Sequence, residues 1–182
     1  AGALERGDPA VLAAISESDA GRALSALNDA FMADGCLIRL AAGHAPEWPV
    51  QLLFVSVGQD HAAMISPRNL VVLGEGARLD LIESHVMLGA AGTLTNLVNH
   101  VVIGQGGALR HDRLQIGITD GSLIGKTHYE LAADARLTQT LATLGGALVR
   151  NEISVVMAGA GIEAGLNGLY FTRGRQHVDN NI

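Results

Sequence analysis

The sequence predicts a mainly β protein, a parallel β-helix in which short strands stack coil upon coil. Its composition suits short strands joined by tight turns, since 48% of the residues are hydrophobic and 23 glycines stand against 4 prolines. From Cys36 onward, apolar and polar residues alternate with the period of two that is typical of a β-strand. A strand–turn–strand segment also recurs along the chain. One coil cannot bury its own apolar face, so such a repeat predicts that coils stack.

The recurring segment indicates about two strands per coil. Residues 71–79 and 101–109 match position for position, residues 129–137 form a third copy, and residues 155–162 form a looser fourth. We expect the small residues between the strands to allow close stacking and positive φ at the turns. An antiparallel sandwich is the alternative architecture, because it also has short strands at regular spacing. The copies are 30, 28 and 26 residues apart when counted between Leu73, Ile103, Leu131 and Met157.

The pattern divides the chain into an N-terminal helical segment, residues 1–35, and a β-helix core, residues 36–182. The Asp-Pro pair at 8–9 supplies an N-cap followed by proline at the first helical position. Apolar residues three and four apart within 24–31 predict an amphipathic helix, and the Asp-Gly pair at 34–35 suits its end.

The chain stops on a polar, strand-like stretch with no turn or tail after it. In that stretch Arg175, His177 and Asp179 are predicted to share one strand face, which suits an interface or a ligand site. The pair Asn180-Asn181 suits an asparagine ladder along the solenoid or a tight turn. We therefore expect a fragment whose β-helix is truncated at its C-terminal end. An open last coil exposes unpaired backbone groups and apolar side chains, so we expect this chain to self-associate, for example as a homodimer.

Charge and composition argue against several classes of function. A net charge of −6 argues against a nucleic-acid surface, which would need a basic patch. The longest apolar stretches are far shorter than the roughly 20 residues of a membrane span, and no signal peptide is visible. Cys36 is the only cysteine, which excludes an internal disulfide and a multi-cysteine cluster site within this chain. We expect a cytoplasmic protein that contacts neither nucleic acid nor membrane.

Histidines supply the candidate chemistry of the central coils. Three groups fall on successive coils, namely His100, His111-Asp112-Arg113 and His128-Tyr129-Glu130. Stacking would form a column able to bind a metal or an anion. No two of these histidines have a local ligand spacing, and we expect polar side chains on a solvated sheet face rather than a metal site. Glu83 and His85 share a strand face at a separation of two residues, which is close enough for a hydrogen-bonded pair.

Other polar residues favour structural roles over catalysis. Arg150, Asn151 and Glu152 have the residue types of an ion-pair network, which we place at a coil corner. Cys36 precedes a Leu/Ile strand and is expected to be a small buried filler rather than a reactive thiol. The common nucleotide-binding, serine-hydrolase and metalloprotease motifs do not occur in the sequence. No third group or pocket for a catalytic site is apparent, so we predict that the protein is not an enzyme.

Three stretches of the sequence resemble the SufB/SufD core family of the SUF iron–sulfur cluster assembly system. They are LVRNEISVVMAGAGIEAGLNGLYFTRGRQHVDNNI at residues 148–182, SPRNLVVLGEGARLDLIESHV at 66–86 and LNDAFMADGCLIRLAAG at 27–43. The Gly-Arg-Gln-His-Val-Asp-Asn run and the Leu-Asn-Gly-Leu-Tyr run are the specific parts. Within the family, NGLYFTRGRQHVDNN resembles SufD more than SufB.

The resemblance implies a right-handed parallel β-helix, in agreement with the repeat. It also implies a non-enzymatic scaffold that pairs with a SufB-like paralogue and a SufC-like ATPase, in a complex that builds iron–sulfur clusters and hands them to apo-proteins. No metal or cofactor is expected in this chain alone, and a cluster is expected only at the level of the complex. The family-signature or interface candidates are Arg150, Asn151, Arg175, Gln176, His177 and Asp179.

A carbohydrate-active β-helix enzyme, such as a lyase or a hydrolase, is the alternative function. Such an enzyme needs aromatic platforms and paired carboxylates at repeat-equivalent positions. The chain has only one tryptophan, two tyrosines and three phenylalanines. Glu75 and Glu130 do not align in the repeat, so the sequence lacks the carboxylate pair that this alternative requires.

Overall fold

A computed structural model of the protein describes residues 23–58, 60–88, 92–116 and 121–182. Within these ranges it has one helix and twelve strands. The helix α1 spans Ala23–Phe31. The strands are β1 (Asp34–Leu40), β2 (Val50–Val57), β3 (Ala63–Ile65), β4 (Pro67–Leu73), β5 (Arg78–Leu88), β6 (Thr93–Ile103), β7 (Ala108–Ile116), β8 (Ser122–Leu131), β9 (Arg136–Leu144), β10 (Leu148–Met157), β11 (Glu163–Phe171) and β12 (His177–Asn181).

The strands form two parallel sheets, and the chain passes from one sheet to the other at successive turns. The first sheet has the order β1-β4-β6-β8-β10-β12, with β3 also paired to β6, and the second has the order β2-β5-β7-β9-β11. This is a parallel β-solenoid, which confirms the predicted fold class. The predicted repeat equivalence is confirmed as well, because Ile103 pairs with Leu73 on one side and with Leu131 on the other, and Leu131 pairs with Met157.

Glycine at the turns allows the coils to stack closely. Gly76 and Gly106 have φ values of 65° and 63°, as expected for small residues at these positions, and Asp134 takes the same conformation in the next coil. A side chain at Gly104 would collide with the neighbouring coil, since a Cβ there would lie 2.9 Å from the backbone nitrogen of Glu75. The turns therefore set the spacing at which the strands pair.

The interior of the solenoid is layered. A polar layer lies in the middle, and beyond it, on the side away from the glycine turns, Met87, Leu123 and Val149 form a small apolar cluster. The main apolar layer lies beside the glycine turns, and its strand residues include Leu73, Leu79, Ile103, Leu109, Leu131 and Leu137.

Helix α1 packs on the outer face of the first sheet. The side chain of Asn28 donates to the carbonyl oxygens of Asn96 and Pro67 at 2.7 and 3.2 Å, and the side chain of Asn96 donates to the carbonyl of Leu24 at 2.9 Å. The helix ends at Phe31, and the Asp-Gly pair expected to end it instead begins β1. The expected N-cap at 8–9 lies outside the described residues. In the described part of the chain, no helix has the length and apolar character needed to cross a membrane.

Candidate functional site

The polar layer inside the solenoid is centred on the carboxylate of Glu83, on β5. Its Oε1 accepts a hydrogen bond from Nε2 of His85 at 2.5 Å and lies 3.4 Å from Nε of Arg113. Its Oε2 accepts from Nδ2 of Asn99 at 2.9 Å and from Nε2 of His111 at 3.0 Å. Only 1% of Glu83 is exposed, so these partners, rather than water, balance its charge.

Glu83 is ionised in this environment. Burial on its own raises the pKa of the carboxyl group, because a low-dielectric interior disfavours the charged form. The Arg113 guanidinium and the hydrogen bonds from His111 and His85 outweigh burial and hold the pKa of Glu83 well below its ordinary value of 4.5. Arg113 is itself fully buried, and Glu83 is its register neighbour on the adjacent strand. The two residues therefore form a buried ion pair across neighbouring coils.

A chain of hydrogen bonds continues from Glu83 to the opposite sheet. Burial raises the pKa of the Tyr129 phenol, so its hydroxyl stays protonated. The oxygen of that hydroxyl lies 2.8 Å from Nδ1 of His111. We infer the tautomer in which Tyr129 donates to Nδ1 while Nε2–H of His111 donates to Glu83, because that arrangement satisfies both contacts.

A ladder of amides connects the same centre to the first coil. Nδ2 of Asn69 donates to Oδ1 of Asn99 at 2.9 Å, and Asn99 donates in turn to Glu83. Oδ1 of Asn69 accepts from the backbone nitrogen of Cys36 at 3.0 Å. Cys36 is half-buried, and burial together with the nearby Asp34 raises the pKa of its thiol, which fits the predicted filler better than a reactive thiolate.

A second set of buried amides and hydroxyls extends the polar layer toward the last strand. Oε1 of Gln115 accepts from the hydroxyl of Thr143 at 2.7 Å, and its Nε2 donates to Oδ1 of Asn151 at 3.0 Å. Nδ2 of Asn151 donates to Oδ1 of Asn180 at 2.9 Å. The asparagine ladder expected at Asn180 is therefore present.

Space for the Arg113 side chain comes from a glycine. A Cβ at Gly125, on β8, would lie 3.1 Å from Nη2 of Arg113. Nη1 of Arg113 donates to the hydroxyl of Thr127 at 3.1 Å. Nε and Nη2 have no hydrogen-bond partner among the described residues, so the interaction of Arg113 with Glu83 is mainly electrostatic.

The buried network can hold the charge of Glu83, and hydrogen bonds connect that charge through His111 to the hydroxyl of Tyr129. It is poorly placed to bind a bulky substrate, because each of these side chains is at most 1% exposed. Polar groups of this kind in a closed interior restrict which neighbouring strands can pair, since each group needs a partner in the adjacent coil.

Two of the three predicted column histidines come together on the outer face of the first sheet. His100 on β6 and His128 on β8 are register partners, and their rings meet edge to face with centroids 5.3 Å apart. Nε2 of His100 lies 2.7 Å from Oε1 of Glu130, and Nε2 of His128 lies 3.5 Å from the same oxygen. His111 does not join this column, because it lies in the other sheet and faces the interior.

The predicted ion-pair network at Arg150 is present, although it lies within strand β10 and not at a coil corner. Arg150 bonds Glu152 at 2.8 Å and Asp179 on β12 at 2.7 Å. Hydrogen bonding to Glu152, followed by the charge of Asp179, raises the pKa of Arg150. Its neighbour Asn151 points inward, because alternate side chains of a strand face opposite sides of the sheet.

The predicted charged face at the end of the chain is only partly formed. Arg175 lies in the turn before β12, so the strand presents His177 and Asp179 without it. The side chain of Gln176 accepts a hydrogen bond from the backbone nitrogen of Arg173 at 2.8 Å and so closes that turn. These residues lie at the last coil, away from Glu83.

Sequence reasoning did not connect Arg113, Asn99 and His111 to the Glu83–His85 pair. It also did not connect Tyr129 to His111. A signal was available in the repeat, because Glu83 follows Leu79 by four residues just as Arg113 follows Leu109 by four. Since Leu79 and Leu109 are equivalent and face inward, the same parity places both charged residues inside and next to each other.

Fold and interior together define a two-sheet parallel β-solenoid whose polar groups are concentrated inside the stack. Residues 54–182 match the family model described as SUF system FeS cluster assembly, SufBD core domain. The match covers more than half of the chain, and the chain belongs to this family. No curated protein and no solved structure matches the chain significantly.

Proposed function

We propose that this chain is a non-enzymatic scaffold subunit, of the SufD type, in an iron–sulfur cluster assembly complex. In this proposal it acts in the cytoplasm and pairs with a SufB-like paralogue and a SufC-like ATPase, and any cluster forms at the level of the complex. The observation that carries the proposal is the SufBD core match over residues 54–182 of a parallel β-solenoid. The SufD-like run that contains Arg175, Gln176, His177 and Asp179 supports the assignment within the family.

The distribution of polar groups supports a scaffold. Glu83, His111 and Arg113 are sealed in the interior, where they stabilise the stacked coils and cannot contact a bulky substrate directly. Paired carboxylates of a polysaccharide-cleaving enzyme are not found at equivalent positions among the described residues. Glu75 lies in the turn between β4 and β5, and Glu130 lies on the outer face of β8.

The last coil of the 182 residues presents an edge at which a further strand can pair. Each of its strands, β11 and β12, has a strand neighbour on one side only among the described residues. Leu169, Tyr170 and Phe171 on β11 are 62%, 59% and 58% exposed. A strand edge of this kind pairs readily with another strand, and exposed apolar side chains add to the attraction. In the absence of a partner, the same edge favours self-association of the 182-residue chain.

Co-expression tests this proposal. The chain, alone and as part of any longer gene product that contains it, is expressed with candidate SufB-like and SufC-like partners, and co-purification and stoichiometry are measured. We expect a stable complex, and we expect the chain alone to give a mass in light scattering that rises with concentration. A full-length product that stays alone and cleaves a polysaccharide would contradict the scaffold assignment.

A further inference from the structure

We propose that His100, His128 and Glu130 form a binding site for an exchangeable divalent transition-metal ion, such as Zn²⁺ or Fe²⁺, on the outer face of the first sheet. This inference goes beyond the scaffold function and does not depend on it. Within the described ranges, these residues are the one group of three whose potential metal-ligating atoms all lie within 4.8 Å of one another. Two imidazoles and one carboxylate are a donor set suited to Zn²⁺ and Fe²⁺ and poorly suited to Ca²⁺ or Mg²⁺.

The distances between the ligand atoms are close to those that an ion at the centre of the group requires. A tetrahedral ion with ligands at about 2.0–2.2 Å holds its ligand atoms about 3.3–3.6 Å apart. Oε1 of Glu130 now lies 2.7 Å from Nε2 of His100 and 3.5 Å from Nε2 of His128. All three ligand atoms lie within 4.8 Å of one another. Binding therefore requires the Glu130 carboxylate to move away from His100, and its side chain, which is 36% exposed, has room to do so.

The strand pairing holds the two imidazoles in place. His100 and His128 are opposite each other in the β6–β8 register, and Glu130 follows His128 by two residues on the same face. Only 7% of His100 is exposed, so packing limits the positions that its ring can occupy. The site is thus built on three positions of a rigid sheet rather than on a loop.

A neighbouring hydroxyl orients the second histidine. Nδ1 of His128 lies 2.7 Å from Oγ of Ser154, the register partner of His128 on β10. Metal-bound histidines commonly use the other ring nitrogen for such a bond, which fixes the tautomer and the ring orientation. Here the bond to Ser154 leaves Nε2 of His128 facing Glu130, as a metal ligand requires.

Three protein ligands leave a further coordination position. Side chains of His128 and Glu130 are 31% and 36% exposed, so that position opens toward solvent. Structural zinc sites are closed by four protein ligands, whereas a site with three can accept water or another ligand. The geometry therefore favours an ion that can be loaded and released.

Titration of the tag-free, metal-free chain with Co²⁺ tests the site, because tetrahedral Co²⁺ absorbs strongly in the visible range. We expect one Co²⁺ per chain, displaced by Zn²⁺, and a thermal midpoint that rises when Zn²⁺ is added. Ser154→Ala is expected to weaken binding by about 10- to 100-fold, as for other residues that orient a ligand. Glu130→Gln and His128→Asn are expected to weaken it at least as much.

His44→Asn is the matched control, because His44 is an exposed histidine in the turn that follows β1 and lies outside the group. It is expected to bind Co²⁺ as the unaltered chain does, and circular dichroism of each variant establishes that it is folded. The site is refuted if the unaltered chain binds no Co²⁺, if Glu130→Gln or His128→Asn binds with unchanged affinity, or if His44→Asn weakens binding equally.

Discussion

The two main layers of the solenoid interior stabilise it in different ways. Beside the glycine turns, leucine and isoleucine repeat in coil after coil. Ile103 and its register partners Leu73 and Leu131 are therefore buried in the same kind of apolar environment. In the middle layer the residue changes from coil to coil, and Glu83 stands beside Arg113. The apolar layer therefore stabilises stacking without distinguishing one coil from the next.

The polar layer distinguishes one coil from the next. A slip of one whole coil would replace one leucine by another in the apolar layer, at small cost. The same slip would separate Glu83 from Arg113 and leave two buried charges without partners, which is strongly unfavourable. We infer that the polar layer fixes which coils are neighbours, and that it contributes less than the apolar layer to the total free energy of folding.

Breaking the ion pair is expected to give the largest effect. Glu83→Leu leaves Arg113 buried and uncompensated, and we expect it to lower the free energy of unfolding by about 3–5 kcal/mol. Arg113→Leu is expected to cost a similar amount for the same reason. The double variant is expected to be more stable than either single variant, because it buries no unpaired charge and continues the leucines at Leu52 and Leu141 in the register.

Urea denaturation of the four proteins measures this cycle. Ile103→Ala is the comparison from the apolar layer, where loss of a fully buried side chain should cost about 2–5 kcal/mol with no partner able to restore it. If the two charge substitutions prove simply additive, the pairing of Glu83 with Arg113 does not matter for stability, and the distinction between the layers fails.

The pH dependence of stability should also differ between substitutions in the polar layer and substitutions in the apolar layer. The folded-state pKa of Glu83 lies below its ordinary value of 4.5, so its stabilising contribution is fully present above that pH and is lost as the pH falls through the folded-state pKa. Ile103→Ala keeps Glu83 and should lose stability in acid as steeply as the unaltered chain. Glu83→Gln should show a shallower decline.

Unfolding followed by circular dichroism between about pH 6 and pH 3 measures these slopes. The comparison with Ile103→Ala is necessary because other carboxylates also titrate in this range. An acid decline of Glu83→Gln as steep as that of Ile103→Ala would mean that ionisation of Glu83 contributes little to folding.

The fold was predictable because the apolar layer repeats. Residues 71–79 and 101–109 match closely, and that match determines the register, the turns and the alternation of strands between the sheets. The helix boundary was less predictable, because Asp-Gly suits a helix end and can equally begin an edge strand. Asp34 begins β1, whose hydrogen bonds to β4 determine the assignment.

The candidate sites were harder to predict because composition gives no direct sign of a charged interior. Alternation alone places Glu83 and Arg113 inside, but charged residues are normally assigned to the surface, since burying one without its partner is costly. The outer pair of His100 and His128 was visible as a repeat. Glu130 follows His128 by two residues on the same strand and so shares its face, whereas the exclusion of His111 depends on which sheet its strand joins.

The smallest predicted effect compares two adjacent residues of β10 that face opposite sides. Asn151→Ala removes the acceptor of the buried Gln115 amide and the donor to Asn180, and should cost about 1–3 kcal/mol. Arg150→Ala breaks the ion pairs with Glu152 and Asp179 on the solvent side, where water and salt screen the charges. For Arg150→Ala we expect a much smaller loss of stability, and we expect that loss to disappear in about 1 M salt.

Thermal unfolding of both variants at low and high salt measures the difference. A loss of stability in Arg150→Ala as large as that in Asn151→Ala would show that the outer face also contributes strongly to coil stacking.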